Sequence, residues 1–279
     1  PSRILASREG NAVTAAVGED FTLKLFTRPE EGINPEVEIG RFLAEKARFL
    51  HAPPFLGALE YLGPGGKTAL GAIHGFVGNQ GTAWDYVGAA LGQFRENAMA
   101  AKTEPGAPVA SAHEMAEAFF FEMVDLLGER TGEMHLALAS DHEDPAFSPE
   151  PFTKSYQRSV YQSIRSLSRE VFRELKGLLP SLEGELKSRA EALMPLDREV
   201  LAFLGPMVSE KLSGLKIRIH GNYHLEKVLF TGKDFFLTGF EGEPERSLSE
   251  RRLKRSALRD VARMLRSFDQ AAWAFCQGN

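Results

Sequence analysis

Polar breaks at Arg8-Glu9-Gly10-Asn11 and Gly18-Glu19-Asp20 divide the opening of the chain into three runs, 3–7, 12–17 and 21–27, in which apolar and polar residues alternate. Alternation with a period of two, broken by short polar stretches, predicts successive antiparallel strands. The period then changes. Over 34–51, Val37, Phe42, Leu43, Phe49 and Leu50 fall on one side of a helix, with Asn34 before Pro35 supplying the N-cap and the first helical residue. Two further strands, 55–62 and 68–77, joined by Gly63-Pro64-Gly65-Gly66-Lys67, complete a five-stranded small lobe carrying one helix, residues 1–78.

From residue 79 to 279 the pattern is mainly helical. Candidate helices at 83–101, 112–140, 153–178, 181–192 and 196–211 are separated by Pro105, Pro145, Pro149, Pro180 and Pro195. Within 153–178, Val160, Ile164, Leu167, Val171, Leu175 and Leu178 recur at three- and four-residue spacing, which predicts one continuous buried face. Two short strands, 216–219 and 235–237, flank a loop in the segment 218–245, and a last helix is expected near 256–275. No internal repeat or low-complexity linker interrupts this order.

Composition narrows the classes of function. The 43% hydrophobic content supports a proper core, and 33 basic against 38 acidic residues leave a net charge of −5. That balance offers no general attraction for nucleic acid or an anionic membrane. The cluster from Arg246 to Arg266 holds eight Lys or Arg, but Glu250 and Asp260 interrupt it, Glu245 flanks it and no stacking aromatics are interleaved, so it reads as a salt-bridged surface. A single cysteine, Cys276, no apolar run long enough to span a membrane and no signal pattern at the start lead us to expect a cytoplasmic protein.

Two local motifs are set aside on chemical grounds. Gly66-Lys67-Thr68 lacks the glycine five residues earlier that a phosphate loop needs, since Tyr61 stands there, and a strand rather than a helix follows, so it is read as a hairpin turn. His220 and His224 have the spacing of a helical zinc pair, but Gly221 and Asn222 lie between them and no Glu follows His220; no metal site is expected.

Residues 218–230, Arg-Ile-His-Gly-Asn-Tyr-His-Leu-Glu-Lys-Val-Leu-Phe, and Phe235 to Pro244 resemble the catalytic stretch of the maltokinases, ATP-dependent enzymes that phosphorylate maltose. Leu23-Lys24-Leu25-Phe26, Asn34 to Leu43, Gly75 to Gly81 and Leu258 to Phe268 carry the same resemblance, which spans nearly the whole chain. It implies an α+β, protein-kinase-like (aminoglycoside-phosphotransferase-like) bilobal fold, with a small antiparallel-sheet lobe holding one helix and a larger, mainly α lobe. It also implies a cap subdomain ahead of Pro1 that this chain does not show, and a parent protein, because maltokinase-like domains occur fused behind a trehalose synthase.

The resemblance assigns roles by position. Lys24, on the third strand, would neutralise ATP phosphates, held by a helix carboxylate for which Glu38 is the first choice and Glu36 the second; Asn11 lies in the loop that would cover the phosphates. Substrate-binding candidates are His135, His220, Tyr223, His224 and Glu241, although a His on an apolar helix, as His135 is, is more often a hydrogen-bonded core residue. Phosphoryl transfer further needs an aspartate at the attacking hydroxyl, an amide ligand and a second, metal-bridging aspartate. The matching positions here are Asn222, Lys227 and Gly239. Asn cannot take a proton, Gly supplies no ligand, and Lys offers an ammonium where a dication would sit.

The expectation is therefore a degenerate domain needing no cofactor, serving as a structural or interaction module of a trehalose synthase through that catalytic domain or through self-association. Two alternatives stay open. One is an active ATP:maltose 1-phosphotransferase using ATP and Mg2+, with Glu241 as the residual metal ligand; the other binds nucleotide or maltose without turnover.

Overall fold

The computed structural model describes residues 4–9, 12–102 and 118–276. Strands β1 (Ile4–Glu9), β2 (Ala12–Val17), β3 (Phe21–Phe26), β4 (Phe55–Gly63) and β5 (Gly66–Gly75) form one antiparallel sheet in the order β1-β2-β3-β5-β4. The register places Lys24 opposite Thr14 on β2 and Ala72 on β5, so Lys24 lies on a strand with hydrogen-bonded neighbours on both sides. The β4–β5 turn closes at Gly63 and Gly66, and Gly66 has φ of 135°, a conformation open to glycine. The segment Gly66-Lys67-Thr68 is thus a hairpin, as its sequence predicts.

Helix α1 (Pro35–Glu45) begins where expected: the Asn34 side chain accepts the Glu36 N–H at 2.9 Å, and Pro35 occupies the first turn. It ends six residues before the expected 51. Arg48 takes a left-handed φ of 50°, which a continuing right-handed helix excludes, and Leu50 is left 78% exposed.

Helices α2 (Ala83–Lys102) and α3 (Ala118–Leu138), the hairpin β8 (Val228–Phe230) and β9 (Phe235–Leu237), and the last helix α8 (Leu258–Cys276) share one core with α1. Ile39, Phe42 and Leu43 of α1 meet Met134 and Leu138 of α3, while Tyr223, Leu225 and Val228 fill the centre. Each such side chain stabilises by ~1.5–3 kcal/mol on burial. Phe42 stacks on Phe147 with ring centroids 3.6 Å apart, which joins α1 to the loop after α3. The strand β8, which pairs with the expected β9, adds to the strands read from the sequence.

The chain divides into two compact units, residues 1–149 with 217–279, and 150–216. The boundary expected between residues 78 and 79 falls inside the first unit. The second contains β6 (Glu150–Pro151), α4 (Lys154–Leu178), α5 (Gly184–Leu193), α6 (Leu196–Phe203), α7 (Pro206–Ser209) and β7 (Leu215–Lys216). Pro206 opens a new turn and breaks the helix expected over 196–211. Gln157, buried in this unit, donates from Nε2 to Met207 O (3.0 Å) and Glu210 O (2.9 Å), satisfying carbonyls at the end of α7.

The continuous buried face expected on 153–178 is not formed. Leu167, Val171 and Leu178 are each more than half exposed. At 25 residues α4 is ~37 Å long, and the short helices of its own unit cannot cover that length.

Candidate functional site

The buried Lys24 ammonium projects from the sheet toward α1 and the turn after β9. Nζ donates to Glu36 Oε2 at 3.1 Å and, in a short contact, to Glu241 Oε2. The second oxygen of Glu241 accepts from Lys227 Nζ at 3.1 Å, and His74 Nε2 lies 3.1 Å from Glu36 Oε1. Burial pulls the Lys24 ammonium down in pKa, but the Glu241 and Glu36 carboxylates outweigh it and hold the group above the ordinary lysine value. Burial likewise opposes ionisation of Glu36, and the Lys24 ammonium overrides it, keeping that carboxyl well below the usual range.

The first choice of partner for Lys24 is therefore corrected: Glu36 takes the place expected of Glu38. Two residues apart on a helix are turned by ~200°, so only one of them faces the sheet. The other, Glu38, lies 2.8 Å from the Arg218 guanidinium and accepts from Arg252 at 3.0 and 2.6 Å. It lines a separate cavity of about 690 Å3 rather than the one beside Lys24.

The loop around Asn222 is held from behind. Asp260 is fully buried; its Oδ2 accepts the His220 N–H and its Oδ1 the Gly221 N–H, both at 2.9 Å. His135 Nε2 lies 3.0 Å from the same Oδ2. His220 Nε2 is 2.8 Å from Thr238 O, and since a carbonyl only accepts, that nitrogen carries the proton and Nδ1 accepts the Asn222 N–H at 3.3 Å. Burial, which favours the neutral ring, holds the His220 pKa below the ordinary histidine value. Tyr223 is fully buried and its hydroxyl donates to Thr131 Oγ1 at 2.8 Å, because Thr131 already donates to Leu127 O at 2.7 Å.

Asn222 itself does not face an open acceptor position. Arg263 Nη1 donates to Asn222 Oδ1 at 2.9 Å, and Nη2 of the same arginine donates to Glu243 Oε1 at 2.6 Å. Arg259 also donates to Glu243 Oε1 at 2.6 Å, and Arg246 to Glu243 Oε2 in a short contact. Burial works against this carboxylate, but Arg246 and Arg259 hold its pKa below the ordinary value.

Gly239 has φ of 77°, and a Cβ there would stand 2.8 Å from Lys227 Cδ. Lys24, Glu36, Lys227 and Gly239 edge a cavity of about 860 Å3 whose walls are mostly apolar, Leu43, Phe49, Phe76 and Leu229 among them. That size is in the range of small-molecule sites, about 300–1,000 Å3. A divalent magnesium ion does not fit the polar end: both Glu241 oxygens already accept from ammoniums, and Gly239 contributes no side-chain ligand. Among the described residues no three His, Cys, Asp or Glu cluster as a metal site.

Of the sequence-derived candidates, Lys24, Lys227 and Gly239 edge one cleft, and Glu241 is ion-paired to both lysines. His135, His220 and Tyr223 are engaged behind the loop, where their side chains position it. His224 is half-buried with Nδ1 3.5 Å from Glu226. Asn11 lies outside the described residues. Glu36, Asp260 and Arg263 were assigned no first role from the sequence; a second acid in the first turn of α1 was the only signal for Glu36, and the other two were read only as charges of the cluster 246–266.

No model of a known protein family matches the chain. Solved structures similar to it include a glucosamine kinase in complex with glucosamine, ADP and inorganic phosphate, at TM-score 0.73 and 18% identity over 99% of this chain. Two further crystal forms of glucosamine kinase match at TM-scores of 0.69 and 0.68, with 18% and 19% identity over 100% and 99% of this chain. The chain spans 57–61% of the length of those chains. At such identity the likeness carries the fold alone, and it agrees with the sheet-plus-helices architecture above: the chain has an α+β, kinase-like fold.

Proposed function

We propose that this chain is a degenerate maltokinase-like domain that transfers no phosphoryl group and serves as a structural or interaction module of a trehalose synthase. The observation that carries the reading is the state of three positions. Asn222 has no proton-accepting carboxylate and is tied to Arg263, Lys227 puts an ammonium on Glu241, and Gly239 supplies only backbone. At ~1.4 kcal/mol per tenfold in rate, a few kcal/mol lost at each position multiplies to many orders of magnitude. The apolar side chains that α4, α6 and the chain after them leave exposed, Leu167, Val171, Leu178 and Phe203 among them, support a contact surface for the synthase catalytic domain or for a second copy.

The test is direct. Incubated with labelled ATP, magnesium and maltose, the chain forms no maltose 1-phosphate, while Asn222→Asp, Lys227→Gln and Gly239→Asp together restore at most a trace. Product from the unchanged chain, abolished by Lys24→Ala, refutes the reading. A second reading, binding of nucleotide or maltose without turnover, is favoured by the 860 Å3 cavity. Deleting the domain from its parent separates the two: loss of thermal resistance or of assembly, with catalytic constants little changed, belongs to the structural module.

A further inference from the structure

Gly239 and Lys227 are fitted to each other. A Cβ at 239 would lie 2.8 Å from Cδ, 3.2 Å from Cε and 3.2 Å from Nζ of Lys227, against the ~3.5–4.0 Å at which carbon atoms pack. The two backbones are clamped, because the Thr238 N–H and hydroxyl both donate to Lys227 O, at 2.9 and 3.2 Å. A side chain at 239 displaces the Lys227 stem from this position. A φ of 77° already favours glycine, and the lysine stem adds a second reason, because a Cβ at 239 has no room beside it.

The charges follow the same logic. Glu36, Glu241 and Lys24 alone would leave a buried formal charge of −1, and Lys227, 4% exposed, brings the four groups to zero. Both ammoniums line the 860 Å3 cavity.

We infer that Lys227 is a built-in cation: its ammonium supplies from the chain the charge that a divalent ion supplies in a phosphoryl-transfer site, and its stem occupies the room of a ligand side chain at 239. The ligand class follows from this. An anion at the polar end of the cavity, of the polyphosphate kind, is contacted by Lys24 and Lys227 without metal. A divalent ion meets two ammoniums and finds both Glu241 oxygens engaged. The inference rests on the reading that positions 227 and 239 are those of lost metal ligands, but none of its readouts measures phosphoryl transfer.

The probes are Mn2+ and inorganic tripolyphosphate. Electron paramagnetic resonance of free Mn2+ is expected to show no saturable binding to the unchanged chain at millimolar concentration, and saturable binding, at least about tenfold tighter, to the Lys227→Ala/Gly239→Asp pair. Calorimetry is expected to show tripolyphosphate binding that is weakened about tenfold or more by Lys227→Ala and is not strengthened by Mn2+. Urea unfolding supplies the control for folding: Gly239→Ala is expected to lower the midpoint in the unchanged background and by less than half as much in a Lys227→Ala background, since the backbone strain is common to both. Saturable Mn2+ binding to the unchanged chain that Glu241→Gln abolishes overturns the inference. Absence of tripolyphosphate binding overturns the ligand assignment, and equal midpoint losses in the two backgrounds overturn the packing on which it stands.

Discussion

Removing one buried carboxylate should release the whole catalytic-like loop. Asp260 accepts the His220 N–H and the Gly221 N–H, each at 2.9 Å, and is itself fully buried. Asp260→Ala orphans both donors and the His135 ring nitrogen. A buried donor left without a partner costs about 1–3 kcal/mol; the His220 donor bears this in full, whereas Gly221 is part-buried and recovers some of it from water. The expected loss is about 2–4 kcal/mol, a large share of the ~5–15 kcal/mol that holds a typical domain together. Asp260→Asn keeps one acceptor oxygen but turns an amide NH2, a donor, toward the other N–H, so it should cost nearly as much despite its matching shape. Urea unfolding followed by tryptophan fluorescence measures both variants, and hydrogen exchange at the His220 and Gly221 amides localises the effect. An Asp260→Ala variant within about 0.5 kcal/mol of the unchanged chain, the range of ordinary surface substitutions, would refute the account of the loop.

One ion pair of α1 and one of the β4–β5 hairpin allow a comparison of burial. Glu38→Gln strands Arg218, which is 1% exposed, and should cost about 3–5 kcal/mol, whereas Glu60→Gln opposite the exposed Lys67 should cost about 0–1 kcal/mol in the same urea assay. Acid should destabilise the protein in two stages. His220 has a folded pKa below its unfolded 6.5, so only the unfolded chain takes up that proton, and stability declines as pH falls from 6.5. Glu36, Glu243 and Asp141, the last held at about 2 by its Lys46 partner, are depressed carboxylates whose contribution is present above their unfolded values of 4.5 and 3.8 and is lost as pH falls toward 2. Urea midpoints over this range check both stages, and a His220→Gln variant should lack the first.

The strands of the sheet were legible because alternation and glycine-bearing turns are local, and Lys24 could be placed on the third strand for the same reason. The helix carboxylate could not be chosen. Glu36 and Glu38 both stand in the first turn of α1, and only the angle at which the helix docks on the sheet decides which faces Lys24. Asp260 and Arg263 serve residues about forty positions earlier in the chain, a pairing that no periodicity encodes. The stripe on α4 announces an amphipathic helix but not what covers it, since an internal core and an external partner leave the same pattern.

The frame around the cleft is held by the chain's own ion pairs, and this bears on whether it serves as scaffold or sensor. Helix α1 is pinned from two faces, by Glu36 to Lys24 of the sheet and by Glu38 to Arg218 and Arg252, while Glu241 joins Lys24 to the turn after β9. A sensor needs an element with two arrangements that its ligand can tell apart. Breaking one partner from a buried pair costs about 3–5 kcal/mol, and a micromolar ligand has only about 8 kcal/mol in total, so parting two such pairs would consume nearly all of it. Lys24 has three N–H donors and two carboxylates around it. An anion that takes the remaining donor leaves every ion pair in place: it stabilises the frame by mass action and moves nothing. Such a ligand should therefore raise the melting temperature without altering the protease-cleavage pattern of the segments around α1 and the 239–243 turn. A change in that pattern on adding tripolyphosphate would favour the sensor.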